Sequence, residues 1–258
     1  MEKIISTDGT PIAYQRSGSG PPLVLVHGTL GTYGRWAPIL PALAEQFTVY
    51  AIDRRGRGES GDSPDYAIER EYEDVAAVVD AIGGEVNLLG HSFGALCSLE
   101  AALRTLHLRA LIVYEPPAAQ TSDGIIDRLQ SILDTGDREG TLLTFLREVV
   151  RMPPHELEYY KTLPAFPARV AAAHTLPREL HAVQEYHVEP DRFQHLDVPT
   201  LLLLGGDSPS FFRQNIEAWH AALPNSRIVV LPGQQHIAMD TAPDLFASEV
   251  KAFLSGLG

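Results

Sequence analysis

The chain has 258 residues, enough for one large α/β domain with a substantial core, and its 45% hydrophobic and 21% charged content is that of an ordinary soluble globular protein. Its net charge of −13 disfavours nucleic acid and anionic membranes as partners, and no apolar run is long enough to span a bilayer. The first residues lack a signal-peptide pattern, and the single cysteine, Cys97, excludes an internal disulfide, so we expect a cytoplasmic protein.

Strand patterns alternate with helix patterns along the first half of the chain. Apolar runs predict strands over 2–7, 11–16, 23–26, 47–52, 86–89 and 110–114. A turn signal, Asp8-Gly9-Thr10-Pro11, joins the first two strands as a hairpin. Helix-spaced apolar residues lie between the later strands. This alternation predicts a mostly parallel sheet with helices on both faces.

The segment between the fifth strand and the next helix is the most informative part of the chain. It has the sequence Gly90-His91-Ser92-Phe93-Gly94, and helix-spaced leucines follow it as far as Leu106. A G-x-S-x-G sequence between a buried strand and a helix describes a tight turn that lifts the serine hydroxyl over the helix N-terminus. Because serine alone is a poor nucleophile, the chain must also supply a base and an orienting acid for Ser92.

Candidates for the base and the acid follow later strands. Asp207 comes after an apolar strand over 201–204 and two glycines, and His236 comes after a strand over 228–231 and a short loop. The C-terminal ends of parallel strands lie along one edge of a sheet, so these side chains can meet Ser92 there. We expect His236 to accept the serine proton and Asp207 to hold the imidazole. Glu115, directly after the strand over 110–114, is the alternative acid.

Two backbone N–H groups are candidates for an oxyanion hole. The loop after the third strand has the sequence His27-Gly28-Thr29-Leu30, and one donor is expected in that loop. The other donor is expected on the residue after the nucleophile. We therefore predict that Thr29 and Phe93 donate to the developing oxyanion, with donors that are fixed before the reaction begins.

Taken in order, these motifs make the chain resemble a serine-dependent, esterase-like member of the α/β-hydrolase family with a helical cap. The resemblance extends from the opening hairpin to the last helix. It includes residues 53–60, which match a D-x-R-G-x-G-x-S loop, and residues 241–246 at the start of the last helix. It departs at Ala95, where many members have a second glycine. The resemblance implies an α/β-hydrolase fold with an eight-stranded, mostly parallel sheet and no cofactor.

The alternation of strands and helices stops between the sixth and seventh predicted strands. Residues 118–195 contain proline-broken helical patterns, and we interpret them as a cap inserted into a core formed by residues 1–117 and 196–258. The cap aromatics that can present a surface to substrate are Phe145, Tyr159, Tyr160, Phe166 and Tyr186. The residues expected around the catalytic groups are His27, Gly28, Leu30, His91, Trp36 and Phe145, although Trp36 fits the core equally well.

The predicted function is hydrolysis of a small, uncharged acyl compound, with a carboxylic ester favoured. The same triad also supports C–C bond hydrolysis, lactone opening, cofactor-free haloperoxidase or perhydrolase chemistry and hydroxynitrile lysis, and the fold alone does not separate them. A ligand receptor that keeps the triad is the alternative from another class. The histidines are scattered and predict no metal site. The expected partner is a small-molecule substrate, with a homodimer possible.

Overall fold

Eight strands form one sheet in the computed structural model, which describes residues 1–117 and 124–257. In chain order the strands are β1 (Glu2–Ile5), β2 (Pro11–Ser17), β3 (Pro22–Val26), β4 (Thr48–Ile52), β5 (Val86–His91), β6 (Leu108–Tyr114), β7 (Thr200–Gly205) and β8 (Ser226–Leu231). Their order across the sheet is β1-β2-β4-β3-β5-β6-β7-β8. The pairs β1–β2 and β2–β4 are antiparallel, and the other five pairs are parallel. The predicted fold class is therefore confirmed.

The central strands are apolar on both faces because both faces are covered. In β3, Val24 and Val26 pack on one side of the sheet, whereas Leu23 and Leu25 pack on the other. This alternation is the two-residue period of a strand. Near-continuous apolar runs are typical of parallel strands that are buried on both sides.

Twelve α-helices lie in the described residues. They are α1 (Leu40–Ala44), α2 (Ile68–Ile82), α3 (Phe93–Ala102), α4 (Ile125–Asp134), α5 (Arg138–Glu148), α6 (Pro154–Thr162), α7 (Phe166–Ala171), α8 (Leu176–Glu185), α9 (Pro190–Phe193), α10 (Ser210–Ala222), α11 (Ala238–Thr241) and α12 (Pro243–Ser255). Short 3₁₀ helices span Tyr33–Trp36 and Ala172–Thr175. Helices α2, α3 and α10 cover one face of the sheet, and α1 and α12 cover the other.

The helix after the predicted nucleophile is shorter than its leucine spacing predicts. All ten residues of α3 are buried, but the helix ends at Ala102, and Leu106 is fully exposed. Just beyond the helix end, the Thr105 hydroxyl donates a hydrogen bond to Asp80 near the end of α2. The last predicted leucine of the stripe therefore packs against nothing in the core.

Helices α4 to α9 lie between β6 and β7, where the cap is predicted. Most apolar side chains of α4 to α8 form a separate cluster, which also includes Leu30 and Ile237 from loops of the sheet edge, whereas Val183 of α8 and Phe193 of α9 pack with the core of the sheet. A buried ion pair joins Glu179 of α8 to Arg54 and Arg57 in the loop after β4. The first predicted cap residues, 118–123, lie outside the described residues. The division into a core and a cap domain stays a prediction.

None of the helices in the described part of the chain is long and apolar enough to cross a membrane.

Candidate active site

Ser92 lies in a strained turn between β5 and α3. Its φ of +54° is in the left-handed region, which a non-glycine residue adopts at an energetic cost of order 1–3 kcal/mol. The turn fits because its neighbours are small: a Cβ on Gly94 would lie 2.4 Å from the carbonyl oxygens of Val26 and His27. A Cβ on Gly28 would lie 2.8 Å from the Ser92 Cβ. Glycines at these positions let β3 and its loop approach the serine directly.

His236 lies on the loop between β8 and α11 and is bonded to Glu115. The His236 Nδ1 to Glu115 Oε2 distance is 2.6 Å, and the Glu115 side chain is fully buried. The second carboxylate oxygen, Oε1, accepts a hydrogen bond from the Gly205 N–H at 2.8 Å. With both oxygens engaged, the carboxylate has one orientation, and the His236 Nδ1 carries the proton that it donates. The Nε2 atom of His236 is therefore left with a free lone pair.

The expectation that Asp207 holds the imidazole is not met by the geometry. Asp207 is exposed, and its carboxylate forms no hydrogen bond with His236. The backbone N–H of Asp207 donates to the carbonyl of Gln234. The reason is the turn after β7, in which the Ser208 N–H bonds back to Gly205 and directs Asp207 away from the sheet edge. Glu115 follows β6 with no intervening turn, and a φ of +44° directs it toward His236.

Ser92 and His236 line the same two cavities, together with Thr29. The Ser92 hydroxyl forms no hydrogen bond with another described residue. Serine-to-base bonds are often long or poorly aligned before substrate binds, so this geometry is compatible with a nucleophile and base pair. The side chain of His236 is fixed in addition by stacking on Phe212, with the ring centroids 4.6 Å apart.

The predicted oxyanion donors lie beside Ser92. Phe93 is the first residue of α3, where an N–H has no partner within the helix. Thr29 lies on the loop after β3, and neither backbone N–H bonds to another described residue. The Arg54 guanidinium lies 4.3 Å from the Phe93 ring centroid and so packs against this side of the site. Two free donors thus border the cavity that Ser92 lines.

Two buried histidines hold the loops of the site in place. The His27 Nδ1–H donates to the Gly28 carbonyl at 2.8 Å, and Nε2 accepts the Arg54 N–H at 3.1 Å. The His91 Nε2–H donates to the His236 carbonyl at 2.9 Å. Burial holds the pKa of both imidazoles well below the ordinary value, so both rings are neutral near neutral pH.

The two cavities on either side of Ser92 differ in character. The first, of about 50 Å³, is bordered by Glu179 but lined mainly by apolar side chains, among them Pro117, Phe145, Leu180, Val183, Phe211 and Phe212. The second, of about 40 Å³, includes Leu30, His91, Tyr160, Arg35 and Arg169. Phe145 lines both cavities. One side of the nucleophile is therefore built for an apolar group and the other has a cationic wall.

Other predicted pocket residues lie away from these cavities. Trp36 is fully buried in the core on the α12 side of the sheet, which was the alternative interpretation. Tyr159 is half exposed, and Phe166 packs edge-on against Tyr160. Tyr186 bonds to Glu100 near α9. Cys97 is buried in the core, as expected for packing.

Sequence reasoning missed Arg35, Arg169, Glu179 and Phe212. A signal existed for Arg169, which is the only charged residue in the run Thr162–Ala173. No comparable signal marks Glu179 in the polar sequence of α8. Among the described residues, no cluster of three histidine, cysteine or acidic side chains has the arrangement needed to hold a metal ion.

Residues 23–249 match the model of the alpha/beta hydrolase family, so the chain belongs to this family of enzymes. An α/β hydrolase from Sphaerobacter thermophilus superposes with a TM-score of 0.87 at 42% identity, over 98% of this chain and 100% of that one. A thermophilic esterase from Thermogutta terrifontis gives a TM-score of 0.75 at 26% identity, over 99% and 98% of the two chains. The pimeloyl-[acyl-carrier protein] methyl ester esterase of Aeromonas hydrophila is 27% identical over 94% of this chain and 99% of its own length.

Proposed function

We propose that this α/β hydrolase is a serine esterase that cleaves a small carboxylic ester through an acyl-enzyme. Ser92 is the nucleophile, His236 the general base and Glu115 the orienting acid. The observation that carries the proposal is the 2.6 Å contact between His236 Nδ1 and Glu115 Oε2, beside a serine in a strained turn. This arrangement of nucleophile, base and carboxylate is the triad logic of acyl transfer.

Acylation begins when the Ser92 Oγ attacks the ester carbonyl carbon. His236 Nε2 takes the serine proton, and the buried Glu115 carboxylate stabilises the resulting imidazolium. The carbonyl oxygen becomes an oxyanion that accepts hydrogen bonds from the N–H groups of Thr29 and Phe93. Collapse of this intermediate breaks the bond to the alkoxy oxygen, which leaves as the alcohol with the proton from His236.

Deacylation repeats the same steps with water as the nucleophile. His236 Nε2 takes a proton from water, and the hydroxyl oxygen attacks the acyl carbon. The Ser92 Oγ then leaves and recovers its proton from the imidazolium. The products are the carboxylic acid and free enzyme, and no step needs a cofactor.

An ester is favoured by the cavity and by the relatives. The apolar cavity beside Ser92 suits an acyl chain or a small alkyl group. Two of the relatives described above are named esterases. Helices α5 and α8 supply much of the wall of this cavity, so we propose that the predicted cap sets substrate selectivity.

A fluorophosphonate probe and Ser92→Ala test the proposal together. The probe should label the wild type but not the variant, and kcat on p-nitrophenyl acetate should fall on the order of 10⁴- to 10⁶-fold, because loss of one triad member disables the unit. A lactone and a 1,3-diketone, assayed in parallel, separate ester cleavage from the alternative hydrolytic reactions. Labelling that persists in Ser92→Ala would remove the serine from the mechanism.

A further inference from the structure

The second cavity beside Ser92 has two buried arginines in its wall. Arg35 comes from the 3₁₀ helix Tyr33–Trp36 and is 6% exposed, and Arg169 comes from α7 and is 4% exposed. The two residues are far apart in sequence, but the fold brings them together in the wall of the cavity that Ser92 lines. Ser92 and His236 line the same cavity, so a group bound against the arginines lies beside the reacting atoms.

The two arginines differ in how their charge is compensated. Arg35 forms a buried ion pair with Asp240, and its Nη2 also contacts the Met239 Sδ at 2.8 Å. Arg169 forms no ion pair with any described carboxylate, and its buried Nη1 makes no hydrogen bond. The guanidinium lies 4.2 Å from the Tyr160 ring centroid. Asp240 acts electrostatically on both guanidinium groups but forms its ion pair with Arg35, so Arg169 has no ion-pair partner among the described carboxylates.

A buried charge without an ion-pair partner costs free energy, and the pKa of Arg169 reflects this cost. Burial lowers the pKa of the Arg169 guanidinium and the charge of Arg35 lowers it further, whereas Tyr160 and Asp240 oppose this effect. Arginine nevertheless stays protonated in proteins. An anion would stabilise the Arg169 guanidinium most, because it would supply both a hydrogen-bond acceptor for the unpaired Nη1 and a counter-charge.

We propose that the cavity at Arg169 binds a carboxylate of the substrate, so that the ester cleaved at Ser92 is an anionic one. The inference rests on the proposed esterase function and changes the expected substrate, which sequence reasoning took to be uncharged. A planar guanidinium matches a carboxylate with two parallel hydrogen bonds. A cavity of about 40 Å³ admits a small group of this kind but no large one. The apolar cavity on the other side of Ser92 takes the rest of the molecule.

The chain's overall charge does not provide this preference. A net charge of −13 repels anions at long range, so selectivity for a carboxylate must come from local contacts. The preference should consequently depend on one residue, Arg169, and should disappear with its charge.

The first test compares esters that differ only in charge. Methyl hydrogen succinate and methyl succinamate place a carboxylate or an amide on the acyl side, and acetoxyacetate and acetoxyacetamide place them on the alcohol side. The wild type should prefer the anion at least tenfold in kcat/KM in one of the two pairs. Arg169→Met should lower kcat/KM for that anion about 10- to 100-fold, with less than a threefold change for the amide, and Arg169→Lys should lose less.

Arg128→Met is the matched control, because the Arg128 side chain is exposed on α4 and pairs with Glu148 at the surface. It should leave both members of each pair unchanged. Equal use of acid and amide by the wild type in both pairs would overturn the inference without any variant. An equal fall for both substrates in Arg169→Met would do the same. Melting temperatures identify a variant that fails to fold. If Arg169→Met fails to fold, the kcat/KM ratio of acid to amide in the wild type and in Arg169→Lys decides the question.

A binding measurement separates this inference from the proposed function. Ser92→Ala should bind methyl hydrogen succinate or acetoxyacetate, whichever anion the wild type prefers, saturably in calorimetry, and adding Arg169→Met should weaken that binding at least tenfold. If no ester is hydrolysed but this binding depends on Arg169, the esterase proposal fails and the carboxylate site stands. If the esters that have an amide in place of the carboxylate are hydrolysed through Ser92, and Arg169 affects neither binding of the anion nor preference for it, the carboxylate site is wrong and the esterase proposal stands.

Discussion

The edge of the sheet and the helices inserted above it contribute to the site in different ways. At the edge, polar groups are held by specific hydrogen bonds: Glu115 to Gly205, and His91 to the backbone of His236. In the helices, the contacts are mostly apolar packing, with Phe145 and Leu180 facing the cavity. The difference suggests that the edge determines the reaction, whereas the helices determine which molecule reaches it.

Apart from the loss of Ser92 itself, the largest effect should come from changing the buried carboxylate at the sheet edge. Glu115→Gln should lower kcat roughly 10⁴-fold, because an amide in place of the carboxylate favours the wrong imidazole tautomer. Asp207→Asn is the matched control and should change kcat less than about threefold, since Asp207 is exposed and does not contact His236. Ester hydrolysis by the two purified variants decides between them. Reversed effects would return the acid's role to Asp207.

These two carboxylates also show where sequence reasoning reaches its limit. Ser92 follows from its G-x-S-x-G sequence, Thr29 and Phe93 follow from the expected place of the oxyanion donors, and His236 follows from the rule that functional groups lie at strand C-termini. Glu115 and Asp207 both satisfy that rule, on the neighbouring strands β6 and β7. What separates them is the backbone turn after β7, which a count of residues does not reveal. The sequence alone therefore does not distinguish Glu115 from Asp207 as the partner of His236.

The residues of the helical segment were harder to predict for a different reason. Arg169 lines the site because α7 packs beside Tyr160, and Glu179 because α8 packs on the loop after β4. Both depend on how helices are placed in space rather than on local pattern. Helical spacing predicted that α4 to α8 exist, but which face each helix turns to Ser92 is a tertiary property.

The buried ion pair of Glu179 with Arg54 and Arg57, which joins the two regions, gives the second prediction. Glu179→Gln should lower the free energy of unfolding by about 3–5 kcal/mol, because it leaves Arg57 buried without a carboxylate. Glu148→Gln, which removes an exposed pair with Arg128, is the control and should cost under about 1 kcal/mol. Denaturant unfolding measures both. A loss under 1 kcal/mol in Glu179→Gln would mean that the link contributes little to stability.

The same ion pair makes a pH-dependent prediction. Burial alone would raise the pKa of Glu179, but Arg54 and Arg57 lower it to about 2 from an ordinary value of 4.5. A depressed folded-state pKa gives stability that is present above 4.5 and is lost as the pH falls toward 2. The difference in unfolding free energy between wild type and Glu179→Gln should therefore shrink through that window. A constant difference from pH 6 to pH 3 would contradict the assignment.

The helical wall should affect selectivity more than rate. Phe145→Ala should shift the preference among acetate to octanoate p-nitrophenyl esters by about 1–3 kcal/mol, the usual scale for a group in an apolar pocket. Tyr159→Ala is the control, because Tyr159 is half exposed and outside both cavities. The measurement is kcat/KM across the series, with the melting temperature in parallel. If Phe145→Ala melts early but keeps the wild-type profile, the wall is scaffold only.

The smallest effect should come from the neutral histidines that hold the sheet edge. Burial lowers the pKa of His27 well below 6.5, so the unfolded chain binds a proton in mildly acidic solution that the folded chain does not. Stability should therefore fall on acidification, by about 0.7 kcal/mol per such histidine between pH 7 and pH 6. His27→Gln removes this proton linkage, so its unfolding free energy should fall less steeply over the same interval, whatever the variant loses at pH 7. Parallel pH profiles for wild type and variant would show that His27 is not held neutral by the fold.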